Sequence, residues 1–289
     1  MSIFHSLLLF LLVLFLSCNT TPKVPDAALM ETAVPLDSGA SVYIIADVQQ
    51  ARSILGLLPV EELKNRQAVM MLERTVTAAI ALFPQESGRR FQIAAWGNYP
   101  SFRAGLAFSL NNDWKKLRSE AGQDYWYSET DGLSIALNAR QAFVVSSAYK
   151  APAVPAATSG VKIPEGFGEF RRGSPISCWL EEPSRLIDKM LNDSGIPIRI
   201  PAEKLFIVLF PEKEGQYEAV IRMVFENTAQ ARGMAAVFSL ASNFAPDKSD
   251  SLLAAIFFAG QPVQNERSLD IKTPSLSEAE ITQLFSLFL

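Results

Sequence analysis

The sequence predicts an α+β protein built from two related halves, each an antiparallel sheet with packed helices. Short segments in which apolar and polar residues alternate predict strands with one buried face. Helix-capping residues follow several of these segments. Residues 102–110 and 217–225 also match in kind at five alternating positions, at a constant offset of 115 residues. This match indicates a tandem duplication.

The chain begins with an apolar run that ends at a cysteine. Residues 3–16 contain twelve large apolar side chains among fourteen positions. This is shorter than the about 20 residues that span a bilayer, but it suits the apolar region of a signal peptide. The segment Leu14-Phe15-Leu16-Ser17-Cys18 resembles a bacterial lipobox, with Phe15 and Leu16 where Leu and a small residue are usual. The resemblance implies a lipoprotein signal peptide over 1–17 and lipid attachment at Cys18.

Lipid attachment at Cys18 implies that the membrane is a partner of the mature chain. The several acyl chains of a processed lipoprotein anchor a protein stably, whereas one chain binds only marginally. Asn19 is not the Asp that retains some lipoproteins at the inner membrane, so the outer membrane is favoured. The alternative is an ordinary signal peptide or an uncleaved anchor, with Cys18 uninvolved.

Composition excludes several classes of function. The net charge is −4, and no cluster of Lys and Arg is present, so nucleic acid is not expected as a partner. The one histidine, His5, lies in the signal peptide, so a cleaved chain has no imidazole for a catalytic base or a zinc site. Cys178 is then the one thiol left beside Cys18, and it is interpreted as a small buried side chain. We expect no cofactor, no metal site and no enzymatic activity.

Shifts in composition divide the chain. Residues 18–40 are polar and contain Pro22, Pro25 and Pro35, which indicates a flexible tether. Residues 150–173 are dominated by Pro, Ala, Gly and Ser, which indicates a linker. The two predicted halves are therefore residues 41–149 and 174–289.

Apolar runs and capping residues give the order of elements in the first half. The predicted elements are a strand over 42–46, a helix capped by Asp47 with Gln50 at its third position, a long helix over 60–83, strands over 91–96 and 102–110, a helix beginning at Asn112, and strands over 124–129, 133–138 and 141–147. Gly97 and Asn98 mark a turn after the 91–96 strand and predict a hairpin there.

The second half is predicted to follow the same order: strand, helix, strand, hairpin strand, helix, further strands. The predicted elements are a strand over 176–180, a helix with Pro183 at its first position, a short helix over 192–203, strands over 205–210 and 217–225, a helix capped by Asn227, and strands over 252–258 and 267–272. A last helix begins at Ser277, where Glu280 completes a capping box before an apolar stripe that includes Ile281. Phe108 and Met223, on the apolar faces of the two matched segments, are predicted core residues.

The triplet Tyr125, Trp126 and Tyr127 is the candidate ligand site, because aromatic rings stack on flat ligands. On a strand, the two tyrosines share one face and Trp126 takes the other, so the three cannot line one pocket. Core packing is the alternative interpretation. The spacing of Ser159 and Lys162 resembles that of penicillin-interacting serine enzymes, but it falls in the linker without their companion motifs and is interpreted as a coincidence.

These features favour a lipid-anchored envelope protein that is not catalytic and that acts as a scaffold or interacts with another envelope protein. A carrier of a lipid or other apolar ligand is the alternative, with a groove between a sheet and the 60–83 helix as its site. A hydrolase that uses carboxylates instead of histidine is the third hypothesis.

Overall fold

The computed structural model divides the chain into two compact units, residues 1–52 with 60–168 and residues 53–59 with 169–289. The structure describes residues 33–51, 54, 73–84, 89–99, 101–119, 122–130, 132–138, 140–147, 160–184, 187–188, 199–213, 215–242 and 260–286.

The first unit is an antiparallel sheet crossed by one described helix. Its elements are β1 (Ala33–Val34), β2 (Val42–Asp47), β3 (Thr75–Leu82), β4 (Arg89–Gly97), α1 (Ser101–Leu110), β5 (Trp114–Arg118), β6 (Asp124–Ser128), β7 (Leu133–Leu137), β8 (Gln141–Ser147) and β9 (Val161–Lys162). The strand order is β2-β3-β4-β8-β7-β6-β5, and β1 pairs separately with β9. Helix α1 packs against β5 and β7.

The second unit is also an antiparallel sheet. Its elements are β10 (Ile176–Leu180), β11 (Lys204–Lys213), β12 (Gln216–Val224), α3 (Thr228–Ser242), β13 (Pro262–Asn265), β14 (Ser268–Lys272), β15 (Leu276–Ser277) and α4 (Glu278–Ser286), and the short helix α2 (Phe167–Phe170) lies at the boundary of the two units. The strand order is β13-β14-β12-β11-β10, with β15 paired to one end of β12. Helix α3 packs against β13 and β14.

Strand β12 shows why alternation predicted the second half well. Its alternate residues Tyr217, Ala219, Ile221 and Met223 are buried, and the residues between them are partly exposed. Three of its residues, Val220, Ile221 and Val224, are β-branched and favour extended backbone. The predicted strand over 217–225 is therefore confirmed, and Met223 is fully buried, as predicted.

Two of the predicted helix starts in the second half are confirmed by their caps. Asn227 Oδ1 accepts a 2.9 Å hydrogen bond from the backbone N–H of Gln230 at the start of α3. At the start of α4, the backbone N–H of Ser277 donates to Glu280 Oε2 at 2.7 Å, and the backbone N–H of Glu280 donates to Ser277 Oγ at 3.3 Å. These bonds satisfy N–H groups that a helix leaves without partners.

Residues 102–110 are helical, so their assignment to a strand was wrong. Helix α1 covers them, and its segment contains no β-branched residue that would favour a strand. Because this helix stands where the offset of 115 requires a strand, the match with 217–225 does not support a duplication. A duplicated architecture is not confirmed.

Three predicted helices also fail, at least in part, where the structure describes them; of the predicted 60–83 helix, residues 73–74 are helical. The part of the 60–83 helix at residues 75–82 is strand β3, whose sequence contains four β-branched residues. Residues 112–113 form a turn before β5 rather than a helix start. Residues 199–203 are not helical, and Pro201 among them lacks the N–H that a helix interior requires. Residues 60–72, 192–198 and 252–258 lie outside the described residues.

Parts of the predicted tether and linker are packed. Val34 and Leu36 are fully buried, although the prediction placed them in a tether over 18–40. In the segment predicted as a linker over 150–173, β9 pairs with β1 and the Phe167 side chain is fully buried. These apolar side chains are removed from water by folding, which an unstructured tether would not achieve.

Candidate functional site

An aromatic cluster lies between α1 and the β5–β6–β7 part of the first sheet. It consists of Phe108, Trp114, Trp126 and Ile135. The ring of Phe108 stacks on that of Trp126 at 5.1 Å between centroids and meets that of Trp114 at 4.8 Å with a 52° tilt. Phe108 and Trp114 are 1% and 6% exposed, so the predicted burial of Phe108 is confirmed.

Strand register brings the two tryptophans to one face of the sheet. Trp114 lies opposite Ser128, and Trp126 lies opposite Lys116 on one side and Ile135 on the other. Since side chains alternate along a strand, Trp114 and Trp126 point toward α1, while Tyr125 and Tyr127 point to the other face. Both tyrosines are buried there. The structure therefore separates the triplet as the alternation predicted, and a ligand role for these residues stays a prediction.

A glycine allows α1 to approach the sheet closely. A Cβ atom added to Gly105 would lie 3.3 Å from two ring atoms of Trp126, tighter than an ordinary van der Waals contact. Phe108, one turn further along α1, can then insert between the two indole rings. Sequence reasoning missed this contact, because it placed Gly105 and Phe108 on a strand.

The two indole N–H groups of the cluster have no hydrogen-bond partner among the described residues. Both Trp114 Nε1 and Trp126 Nε1 are buried and unpartnered. Leaving a buried donor unsatisfied costs about 1–3 kcal/mol, so such groups are rare in folded proteins. By contrast, Trp179 in the second unit donates to Glu181 Oε1 at 3.0 Å.

Charged side chains lie at the rim of the aromatic cluster. Lys116 Nζ is 6.0 Å from the ring centroid of Trp126 and 2.6 Å from Asp124 Oδ2. The hydrogen bond from Lys116 lowers the pKa of the exposed Asp124 carboxyl. The rim is thus polar and solvated, whereas the interior of the cluster is apolar.

Helices α1 and α3 each expose large apolar side chains. On α1, Leu106 and Leu110 are 52% and 72% exposed, and on α3, Leu240 is 63% exposed. Residues four apart lie on one face of a helix, so the two leucines of α1 form one apolar stripe. Neither helix contains Asp or Glu, and each contains a single Arg.

Arg222 and Asp270 form a charged pair that joins two strands of the second unit. Arg222 donates two hydrogen bonds to the Asp270 carboxylate, at 2.7 and 2.6 Å, across the register of β12 and β14. Its guanidinium also lies 4.5 Å from the ring centroid of Phe170. The hydrogen bond to Asp270 raises the pKa of Arg222. Each group of the pair is hydrogen-bonded to the other, so neither is available as a catalytic group.

The remaining sequence candidates do not form a reactive site in the described part of the chain. Burial raises the pKa of the Cys178 thiol to about 12, so it stays protonated near neutral pH. Lys162 lies in β9 and is exposed, and Ser159 and Cys18 lie outside the described residues. The described residues contain no group of His, Cys, Asp or Glu arranged to hold a metal ion. Among them there is also no helix long and apolar enough to cross a membrane.

Comparison with solved structures finds the same fold in TP0453. Crystal form III has a TM-score of 0.55 and 17% identity, and the match covers 87% of this chain and 95% of that chain. Crystal form I has a TM-score of 0.56 and 16% identity, with coverage of 86% and 94%. For crystal form IV the values are 0.56 and 17%, with coverage of 91% and 99%. No curated protein matches the chain.

A family model identifies the group to which the chain belongs. The model of the outer membrane-associated lipoprotein TP0453 matches residues 30–244, more than half of the chain and far beyond the signal peptide. It confirms the predictions of a bacterial lipoprotein and of a lipid-anchored location at the outer membrane. The chain belongs to the family of the outer membrane-associated lipoprotein TP0453.

Proposed function

We propose that this chain is a non-catalytic interaction lipoprotein, anchored through lipid on Cys18, that makes a second contact with the membrane surface through an exposed apolar helix, α1 in the first unit or α3 in the second. The observation behind the proposal is the outward position of Leu106 and Leu110 on α1 and of Leu240 on α3. Apolar side chains in such positions are typical of helices that lie at a membrane interface.

The charge of the two helices favours a membrane over an aqueous environment. The chain has 30 Asp and Glu residues, yet none of them falls in α1 or α3. Carboxylates are repelled by anionic lipid headgroups, whereas Arg is attracted to them. The exposed Arg232 of α3 is therefore compatible with a headgroup region.

The lipid anchor makes such a contact effective. Fourteen residues lie between Cys18 and Ala33, the first residue of β1. A chain of that length spans at most about 50 Å, so an anchored protein stays close to the bilayer. Contact by α1 or α3 is then an intramolecular step at high effective concentration, and a modest apolar contact is sufficient.

Replacing both exposed leucines of α1 by glutamine, Leu106→Gln with Leu110→Gln, should weaken vesicle binding at least about tenfold. Full burial of one leucine contributes about 1.5–3 kcal/mol, and glutamine keeps the helix propensity. The measurement is sedimentation with phosphatidylglycerol–phosphatidylethanolamine vesicles. It uses a chain that begins at residue 18 with Cys18→Ser, so that the lipid anchor does not dominate.

Val263→Asn is the matched control, because Val263 is 64% exposed but lies on the strand β13. We expect it to bind vesicles as the parent chain does. If the double glutamine variant also binds like the parent, the membrane contact of α1 is refuted. If the parent dimerises in solution and the double variant does not, the leucines contact a second copy instead.

The anchor has its own test. Cys18→Ala should abolish incorporation of labelled fatty acid, because the predicted lipidation requires the thiol of this cysteine. Cys178→Ala is the control and should keep the label, since Cys178 lies inside strand β10 and does not follow a signal peptide. Unchanged labelling of the Cys18→Ala chain would show that the lipid is attached elsewhere.

A carrier of an apolar ligand is the second candidate function. The aromatic cluster favours it, because its interior is apolar and it contains two indole donors without a partner among the described residues. Binding sites for small apolar ligands combine such an interior with a few well-placed polar groups.

A further inference from the structure

We propose that residues 33–40 form a strap that docks on the first unit and sets the length of the lipid tether, and that release of this strap extends the tether. The tether is the chain between the anchor at Cys18 and the docked strap, so its reach rests on the proposed function. Docking and release of the strap are properties of the folded chain and do not depend on the anchor.

Apolar side chains and a short strand pair hold the strap on the first unit. The side chains of Val34 and Leu36 are both fully buried. Strand β1, which contains Val34, pairs with β9 over two residue positions. Gly160, just before β9, lies so close that an added Cβ atom would be 3.1 Å from the Val34 backbone oxygen. The strap is therefore docked by specific contacts, although the composition of residues 18–40 predicts a tether.

Hydrogen bonds fix the part of the strap that follows β1. The backbone N–H of Asp37 donates to Gln92 Oε1 at 2.7 Å, and the hydroxyl of Tyr43 donates to the Asp37 backbone oxygen at 3.1 Å. The backbone N–H of Ala40 donates to the same hydroxyl at 3.2 Å. Because Gln92 belongs to β4 and Tyr43 to β2, these bonds join the strap to two strands of the first sheet.

The docked strap leaves a buried donor without a partner. The Gln92 side chain is fully buried, and its Nε2 has no hydrogen-bond partner among the described residues. Because Oε1 accepts from the Asp37 N–H, turning the amide round would place two donors against each other. A buried donor without a partner destabilises the docked state. Since the strap lies against this amide, its release lets water reach Nε2 and removes that cost.

Few contacts oppose release of the strap. Its large buried side chains are Val34 and Leu36, and its strand pairing covers two residue positions. Each residue of the strap also loses backbone entropy on docking. Segments with few buried contacts open locally at low free energy while the rest of the fold stays intact. We therefore expect the strap to open while β2, β3 and β4 stay paired.

Release changes the reach of the anchored protein. With the strap docked, fourteen residues lie between Cys18 and Ala33 and span at most about 50 Å. With the strap released, twenty-three residues lie between Cys18 and Val42, the first residue of β2, and span at most about 80 Å. A longer tether lowers the effective concentration of the protein at the anchoring membrane. The docked strap therefore keeps the protein close to that membrane, and release allows contact with partners further away.

Amide hydrogen exchange of the chain from residue 18, with Cys18→Ser, tests release of the strap. The reference is the Gly97 N–H at the end of β4, which donates to the Arg140 oxygen at 2.9 Å. We expect protection of the Asp37 N–H to be at least about tenfold lower than that of Gly97, yet clearly present. Equal protection would mean that the strap opens only with the sheet, and an unprotected Asp37 N–H would mean that it is not docked. Either result overturns the proposal.

A double variant, Val34→Asn with Leu36→Asn, removes the buried apolar side chains and should release the strap. The Asp37 N–H should then exchange at least about tenfold faster than in the parent chain, while the Gly97 N–H keeps its rate. Ser38→Ala is the matched control, because Ser38 lies in the strap but is exposed, and it should leave both rates unchanged. An unchanged Asp37 rate in the double variant would contradict docking through these side chains. The parent chain decides the proposal even if the double variant fails to fold.

Energy transfer from the tryptophans to a dansyl-labelled lipid tests the change in reach. The chain from residue 18 carries Cys178→Ala and is coupled through the Cys18 thiol to a maleimide lipid in phosphatidylcholine vesicles. It also carries Leu106→Gln, Leu110→Gln and Leu240→Gln, so that exposed leucines of α1 and α3 do not hold it at the bilayer. The tether is then the connection that decides how far the tryptophans lie from the labelled lipid.

In this chain, the Val34→Asn, Leu36→Asn variant should transfer energy at least about twofold less than the Ser38→Ala control, because a longer tether lowers the effective concentration at the bilayer. Equal transfer by the two chains would overturn the role of the strap in reach. The coupling replaces cellular lipidation and the glutamines replace the exposed leucines. A failure of this experiment is therefore distinct from a failure of the anchor or of the membrane contact in the proposed function.

Discussion

Replacing Phe108 by alanine should lower the free energy of unfolding of the first unit by about 3–5 kcal/mol, the usual cost of removing a buried aromatic ring. Phe108 is 1% exposed and is in ring contact with both Trp114 and Trp126. Its loss leaves a cavity between two indole rings that strand pairing holds in place, so the site cannot collapse to fill it. Urea unfolding followed by tryptophan fluorescence measures the change.

The control for this variant is Leu106→Ala, two residues earlier on the same helix. Leu106 is 52% exposed, and alanine keeps the helix propensity, so we expect a change of at most about 0.5 kcal/mol. A Phe108→Ala variant as stable as the parent chain would contradict the packing seen here. Such a result combined with weaker binding of a ligand or partner would mean that Phe108 lines an open groove.

The predicted burial of Phe108 is correct, although the secondary structure predicted for its segment is wrong. Its segment has apolar residues at every second position. Such a pattern also places apolar residues four positions apart, which is the spacing of one helix face. Phe102, Leu106 and Leu110 are therefore spaced for one helix face as well as for one strand face. Composition decides between the two, and the absence of β-branched residues favours the helix that the structure shows.

Because residues 102–110 were predicted to be a strand, the predicted hairpin of the first half pairs β4 with the wrong segment. The sequence predicts that β4 pairs with a strand over 102–110, whereas β4 pairs with β3, which lies in the segment predicted to be a long helix. Alanines at 78, 79 and 81 favour a helix, but Thr75, Val76, Thr77 and Ile80 are β-branched and favour a strand. In the described part of each unit, a strand is followed by a hairpin and then by a helix, which agrees with the predicted order apart from the helix predicted before the hairpin.

The candidate site was predictable only in part. Alternation along β6 was sufficient to place Trp126 on the face opposite the two tyrosines. It could not show that Trp114 shares this face, because that depends on the register of β5 with β6. Nor could it show that the indole donors lack acceptors among the described residues, since this depends on which atoms pack around the two rings.

Gly97→Ala should destabilise the first unit by about 3 kcal/mol or more, because the added methyl group has no space to occupy. A Cβ atom at Gly97 would lie 2.0 Å from the backbone oxygen of Arg74. That oxygen accepts a 3.0 Å hydrogen bond from the Asn98 N–H, and the Gly97 N–H donates to the Arg140 oxygen at 2.9 Å. These bonds hold β4 from both sides, so neither the strand nor its neighbour can move away without losing backbone hydrogen bonds.

The matched control is Gly233→Ala, for which we expect the opposite sign. Gly233 lies inside α3, is exposed, and has no neighbouring atom within 4 Å of an added Cβ. Alanine restricts the unfolded chain and favours the helix, so this change should stabilise the protein by about 0.5–1 kcal/mol. Urea unfolding of both variants tests the pair. A Gly97→Ala chain that unfolds at the same urea concentration as the parent would show that β3 and β4 can separate at this point. The bulge between Thr75 and Thr77 would then be a flexible part of the sheet rather than a fixed one.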